Sequence, residues 1–157
     1  NVNDIEIEIS SNKIVFLIDN LILISKLIDG NFPDYKRVIP NNNNNYLIVN
    51  RADLLSAVDR VSTIANEKSP SIKFKLLKNL INLSTINNEN STATEDIAVN
   101  YDGDEIEIGF NSRYIMDILD NLEGEEIRIS FNDNKTPIIA EEKSNSDLIY
   151  VLMPMRV

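Results

Sequence analysis

The stretch YLIVNRADLLSAVDRV (residues 46–61) turns from strand to helix within one short run, and the chain makes the same turn again further on. YLIVN is a short strand-type run, and Asn50 is a good helix N-cap. After it Leu54, Leu55, Val58 and Val61 recur at helical spacing, with Asp53 in the first turn. The second copy, IEIGFNSRYIMDILDNL (106–122), lies over the first with Asn50 on Asn111, Leu54 on Ile115, Val58 on Leu119 and Val61 on Leu122. The offset is about 61 residues. Gly124 follows the second helix as its expected C-terminal stop.

Working outward, NDIEIEISSNKIVFL at the start lies over EEIRISFNDNKTPII (125–139), pairing Asp4 with Glu126, Ile5 with Ile127 and Lys13 with Lys135. This offset is about 122, twice the first. The alternation of Ile5, Ile7 and Ile9 with acidic residues predicts a half-buried strand, and KIVFLID and LILISKL predict two more. Strands are also expected at IKFKLL, LINLST, EDIAVNY, EIEIGF, EIRISF, PIIAE and LIYVLM. The repeated unit is therefore strand, helix and three strands. One unit cannot cover its own sheet, so two should pair with both helices on one side, an α+β fold. Residues from about 41 to 157 hold two units, and roughly the first 29 hold the last three strands of an earlier one. On this count the chain is a piece of something longer. The domain division expected is 1–38 and 39–157, with IDGNFPDYKRVIP as an extended connector.

Composition narrows the chemistry. The 157 residues are 43% hydrophobic and 25% charged, which suits a globular domain. There is no Cys and no His, which removes disulfides, thiolate nucleophiles, imidazole bases and most zinc sites. Gly at four scattered positions leaves no phosphate loop, and FNDNKTP lacks the spaced ligands of a calcium loop. YDGDE reads as a hairpin turn rather than a carboxylate pair, and the run Asn41 to Asn45 as a plain exposed loop. No catalytic residue, metal site or cofactor is expected. A net charge of −10 argues against blanket gripping of nucleic acid, though not against a protein that surrounds DNA with a local positive surface. No run reaches the roughly 18–20 apolar residues of a membrane span, and no secretory signal is seen, so a cytoplasmic location is expected.

Three segments together, SKLIDGNFPDYKRVIP, YDGDEIEIGFNSRYIMDIL and the closing YVLMPMRV, resemble the bacterial sliding clamp, the beta subunit of DNA polymerase III. The likeness runs in order along essentially the whole chain, from the end of that family's middle domain through its third. It implies the DNA-clamp fold and a head-to-tail homodimeric ring with helices lining the hole. Such a ring encircles duplex DNA without sequence preference, has no catalytic activity, and tethers DNA polymerase III, the clamp loader, other polymerases and repair proteins by their linear peptide motifs. The alternative from another class is a structural or assembly module built on the same repeat without DNA. A carboxylate-based hydrolase would need a deep acidic cleft, which the sequence does not suggest.

The apolar ending DLIYVLMPMRV reads on its own as a last core strand, but Pro154 cannot donate within a sheet, and Met153 and Met155 offer adaptable surface. The resemblance implies a hydrophobic peptide groove there. Its matching positions are Pro33, Arg37 and Val38 from the connector, Pro137, and Val151, Leu152, Met153, Pro154, Met155, Arg156 and Val157. It likewise implies a ring interface at Ile64, Glu89, Glu95 and Asp96, where NNENSTATED is read as a loop and strand edge. Arg60, Lys68 and Arg113 would face DNA. Arg113 has a plain alternative, an ion pair with Asp117 four residues on.

Overall fold

The computed structural model describes residues 4–66, 68, 70–87, 89–144 and 148–156. The chain divides into two compact units, Asn1–Asp34 and Tyr35–Val157.

The first unit is an antiparallel sheet of β1 (Glu6–Ile9), β2 (Lys13–Ile18) and β3 (Leu21–Lys26), in that order. Ile18 pairs with Leu21 across a two-residue turn in which Asp19 takes a φ of 50°. Aspartate tolerates that left-handed conformation, so the tight turn forms without glycine. Val15 is buried, but Ile5, Ile7 and Ile9 are exposed, as are Leu21 to Leu23 and Ile24. The expected half-burial of β1 is not found: three strands without a helix have too little apolar cover of their own.

A single 3₁₀ turn (Tyr35–Arg37) opens the second unit. Then come β4 (Asn45–Asn50), α1 (Arg51–Ser62), β5 (Ser71–Leu77), β6 (Leu80–Ile86) and β7 (Thr92–Ala98). The same series returns as β8 (Ile106–Asn111), α2 (Ser112–Asn121), β9 (Glu126–Phe131), β10 (Ile138–Glu142) and β11 (Ile149–Leu152). The halves trade first strands. One sheet runs β11-β10-β9-β4 and the other β7-β6-β5-β8, so each takes three strands from its own half and one from the other. Exchange makes the two repeats a single folding unit.

Both helices start where the Asn caps predict. Asn50 Oδ1 accepts from the Asp53 amide at 3.1 Å, and Asn111 Oδ1 from the Arg113 amide at 3.0 Å. Each helix buries one stripe, Leu54, Ala57, Val58 and Val61 in α1 and Ile115, Ile118 and Leu119 in α2, and the two pack on one another. Facing them are Ile72, Phe74 and Leu76 from β5 and Ile127, Ile129 and Phe131 from β9. Full burial of each such Leu, Ile or Phe contributes roughly 1.5–3 kcal/mol. The start of each helix is held alike: Arg51 N donates to Glu125 O and Ser112 N to Pro70 O, both at 2.9 Å. Arg51 departs from the symmetry, its guanidinium donating to Leu119 O at 3.0 Å, which satisfies a carbonyl in the last turn of α2, and to Gly124 O beyond the helix at 3.2 Å.

Four local readings change. Gly124 does not stop α2, because the helix has already ended at Leu122 in an extended conformation. The residue sits instead against Glu142: its carboxylate accepts from the Glu123 and Gly124 amides at 2.8 and 3.0 Å, and a Cβ at 124 would meet that side chain tightly, at 3.2 Å. YDGDE is not a hairpin, since β7 and β8 lie on opposite edges of their sheet. Its Gly103 makes room for the Tyr101 ring, whose hydroxyl donates to Asp104 O at 2.6 Å. The Asn run is not merely exposed: Asn43 Nδ2 donates to Ser130 O and Pro137 O at 3.0 and 3.1 Å, and Asn45 begins β4. Finally, β7 starts at Thr92, three residues before the expected Glu95, while NNENSTATED keeps its division into loop and strand edge.

Candidate peptide-binding site

β11 is an edge strand, paired only with β10, and its last residue, Leu152, belongs to the core at 8% exposure. Met153, next along, is 58% exposed. Pro154 has no amide hydrogen to give and sits just past the strand's end, as its chemistry requires. The Met155 amide then donates to Gly109 O of β8 at 2.8 Å. This bridge has a twin: Ile48 of β4, at the position matching Gly109 in the repeat, exchanges bonds with Asn100 at 3.0 and 2.8 Å. The tail is thus core at Leu152, anchored backbone at Met155, and free side-chain surface between them.

Two hollows flank it. One, of about 640 Å³, is lined by Met153 to Arg156 together with Glu107, Gly109, Asn134 and Lys135. The other, of about 370 Å³, lies between α2 and β11, with Tyr114 and Ile118 on one wall and Tyr150, Val151 and Leu152 on the other. Sequence reasoning named the tail residues but missed Tyr114, Ile118, Glu107, Asn134 and Lys135. Tyr114, an aromatic residue off the apolar stripe of α2, was the clue the sequence offered, and it is 56% exposed. Glu107 is partnered across the sheet by Lys73 at 3.4 Å and Lys75 at 3.9 Å, while Lys75 pairs with Glu105 at 2.6 Å. The Glu105 carboxylate holds the Lys75 ammonium above its ordinary value. Behind the first hollow, the Asp133 carboxylate accepts from the Lys135 and Thr136 amides, both at 2.8 Å. Those bonds hold it below the usual carboxylate range and fix the loop that presents Lys135.

The remaining groove candidates are placed as follows. Pro33 belongs to the first unit. Arg37 closes the 3₁₀ turn and Val38 is exposed behind it, its amide donating to Tyr35 O at 3.1 Å. Pro137 precedes β10 and its carbonyl is taken by Asn43. Arg37, Val38 and Pro137 line neither hollow. Val157 lies outside the described residues.

The acidic residues grouped as one edge do not form one patch. Strand alternation turns Glu95 and Asp96 to opposite faces of β7. Glu95 accepts from Arg60 Nε at 3.0 Å and Nη2 at 2.5 Å, so Arg60 is tied to the sheet edge. The Arg60 hydrogen bonds hold the Glu95 carboxyl below its usual range. Asp96 instead accepts from Asn82 across the ladder at 2.6 Å. Glu89 lies in the turn before β7, its amide bonded to Asn87 Oδ1 at 2.9 Å, and Ile64 is half-buried just past α1. The Lys68 amide is held by Asn66 Oδ1 at 2.9 Å. Arg113 forms no ion pair with Asp117 among the described residues.

Residues 36–156 match the family described as DNA polymerase III beta subunit, C-terminal domain. The chain belongs to that family. It is 39% identical to the beta sliding clamp of Caulobacter vibrioides over 153 residues, which are 98% of this chain and 41% of the relative. To the Escherichia coli beta sliding clamp it is 35% identical over 155 residues, 99% of this chain and 42% of that protein. Among solved structures, a sliding clamp from Bartonella birtlesii bound to griselimycin superposes with a TM-score of 0.87 at 42% identity, over 98% of this chain and 41% of that one. Caulobacter crescentus pol III beta gives 0.87 at 39%, with the same shares. The chain spans about two fifths of the length of the curated relatives it matches. The α+β architecture, with its repeated strand–helix–three-strand units, is that of these sliding clamps.

Proposed function

We propose that this chain is part of a DNA polymerase processivity factor. Residues 1–38 end a middle domain, and 39–157 form the third domain of a homodimeric ring that encircles duplex DNA. The ring tethers DNA polymerase III, the clamp loader, other polymerases and repair proteins, whose linear peptides seat along the tail. It is non-enzymatic, uses no cofactor, and works in the cytoplasm away from membranes. Family membership supports this reading, and one observation carries the peptide site: Met153 is left exposed between a core residue, Leu152, and an anchored backbone at Met155. A rigid rim with a soft, apolar side chain on it suits varied peptide partners.

In this reading β7 with Ile64, Glu89, Glu95 and Asp96 forms the seam with the neighbouring subunit. There complementary charge sets register more than affinity. Arg60, Lys68 and Arg113 lie on the DNA side and make loose phosphate contacts, sensitive to salt. Arg60 is the weakest of the three, because Glu95 already holds it. The test is topological. Loaded on a nicked circular plasmid, the full-length protein should co-elute with the DNA, and linearising the plasmid should release it. Equal retention on both forms would mean ordinary binding and would sink the ring.

A further inference from the structure

We infer that Met153 is a reversible oxidation site: a peroxide converts its thioether to the sulfoxide, and the added oxygen weakens peptide binding until a methionine sulfoxide reductase removes it. This rests on the proposed peptide site and adds a chemical control of it. The chain has no cysteine, so its three methionines hold all of its sulfur. Thiolates are the usual first target of peroxides, and without them the thioether is the softest nucleophile left. The three methionines are not alike. Met116 is half-buried on α2 and packs against the core. Met155 is half-buried too, with its amide tied to Gly109 O at 2.8 Å. Met153 is 58% exposed, on the wall of the larger hollow. Oxidation follows access, so Met153 reacts first. In that step the sulfur gives an electron pair to one peroxide oxygen and the O–O bond breaks. The other oxygen takes up the remaining proton and leaves as water. The sulfur is oxidised and the peroxide reduced. A soft apolar side chain becomes a polar one with a strong acceptor. An apolar peptide side chain seated over it would bury that oxygen. The fold should not feel the change, because the neighbours that carry the tail are Leu152 in the core and the Met155 backbone.

The experiment treats the full-length protein with graded hydrogen peroxide, removes the excess with catalase, and divides each sample. One part goes to peptide mass mapping, the other to anisotropy with a labelled Gln-Leu-Ser-Leu-Phe peptide. Met153 should gain oxygen before Met155 and Met116. Affinity should fall about five- to thirtyfold in step with the Met153 sulfoxide, at an unchanged unfolding midpoint. The two methionine sulfoxide reductases, one for each epimer, should restore it. Met153→Leu, whatever its own starting affinity, should lose none of it to the same peroxide dose. Earlier oxidation of Met116 or Met155 overturns the proposal. So does full affinity with Met153 oxidised, or an equal loss in Met153→Leu. No binding by the untreated protein would overturn the peptide site and its control with it, while the order of oxidation would still be decided by the mass map alone.

Discussion

The two halves of the second unit share an order of elements, a pair of Asn caps and a pair of backbone bridges, yet their outer edges have diverged. In the first half the edge strand β7 is polar and self-satisfied: Glu95 is bound by Arg60, and Asp96 by Asn82. In the second half the edge strand β11 passes from Leu152 in the core to an exposed Met153. The bridges differ too. Asn100 exchanges two hydrogen bonds with Ile48, inside a continuous chain, whereas Met155 gives one to Gly109 near the tail's end. One scaffold, used twice, thus supplies a polar edge whose acidic side chains are bonded within the chain and an apolar one with an exposed side chain beside it. The core keeps the repeat; the edges carry the specialisation.

The largest effects should come from breaking what the halves share. Phe110 stacks edge-on against Phe74, with ring centroids 5.1 Å apart, and is 2% exposed. Phe110→Ala should cost about 3–5 kcal/mol, read as a lower urea midpoint at constant slope. Its repeat counterpart is Val49, so Val49→Ala should cost less; equal costs would mean the core is not asymmetric in this way. Next comes Met153→Ala, expected to weaken peptide binding by about 1–2 kcal/mol by anisotropy. Because Met153 is exposed, the same change should leave the unfolding midpoint within about 0.5 kcal/mol of the parent. Asn50→Ala and Asn111→Ala should each cost about 1 kcal/mol, and similarly, because both cap the same step of the repeat.

The smallest effect is electrostatic and belongs to the polar edge. Arg60 lowers the Glu95 carboxyl pKa in the folded state. A carboxylate so lowered contributes stability above its unfolded pKa of about 4.3 and loses it as pH falls through the folded value. Glu95→Gln should therefore lose less melting temperature than the parent on going from neutral pH to about pH 3. Parallel acid losses would remove Glu95 from the account, and high salt should narrow the difference, since the pair is on the surface.

Much of this was legible in the sequence. Helix periodicity after Asn50 and Asn111 gave both helices and their caps, and the twofold offset gave the paired repeat. Local patterns succeed where one element settles the matter. The misses lie where a residue answers to a distant part of the chain. Gly124 is shaped by Glu142, and Asn43 by Ser130 and Pro137. Arg60 finds Glu95 through packing of α1 against β7, a contact no spacing rule contains. The tail was half visible: its apolar character marked it, but Tyr114, Ile118 and Lys135 come from other elements.

The account turns on the open edge of the second half being a partner site and not only the rim of a core. The direct measurement is an anisotropy titration of a labelled Gln-Leu-x-Leu-Phe-type peptide against the full-length protein, with and without the five residues Met153 to Val157. Saturable binding that is lost on trimming, with the unfolding midpoint little changed, is the predicted result. Undiminished binding after trimming, or none by the intact protein, would contradict it and return the tail to packing alone.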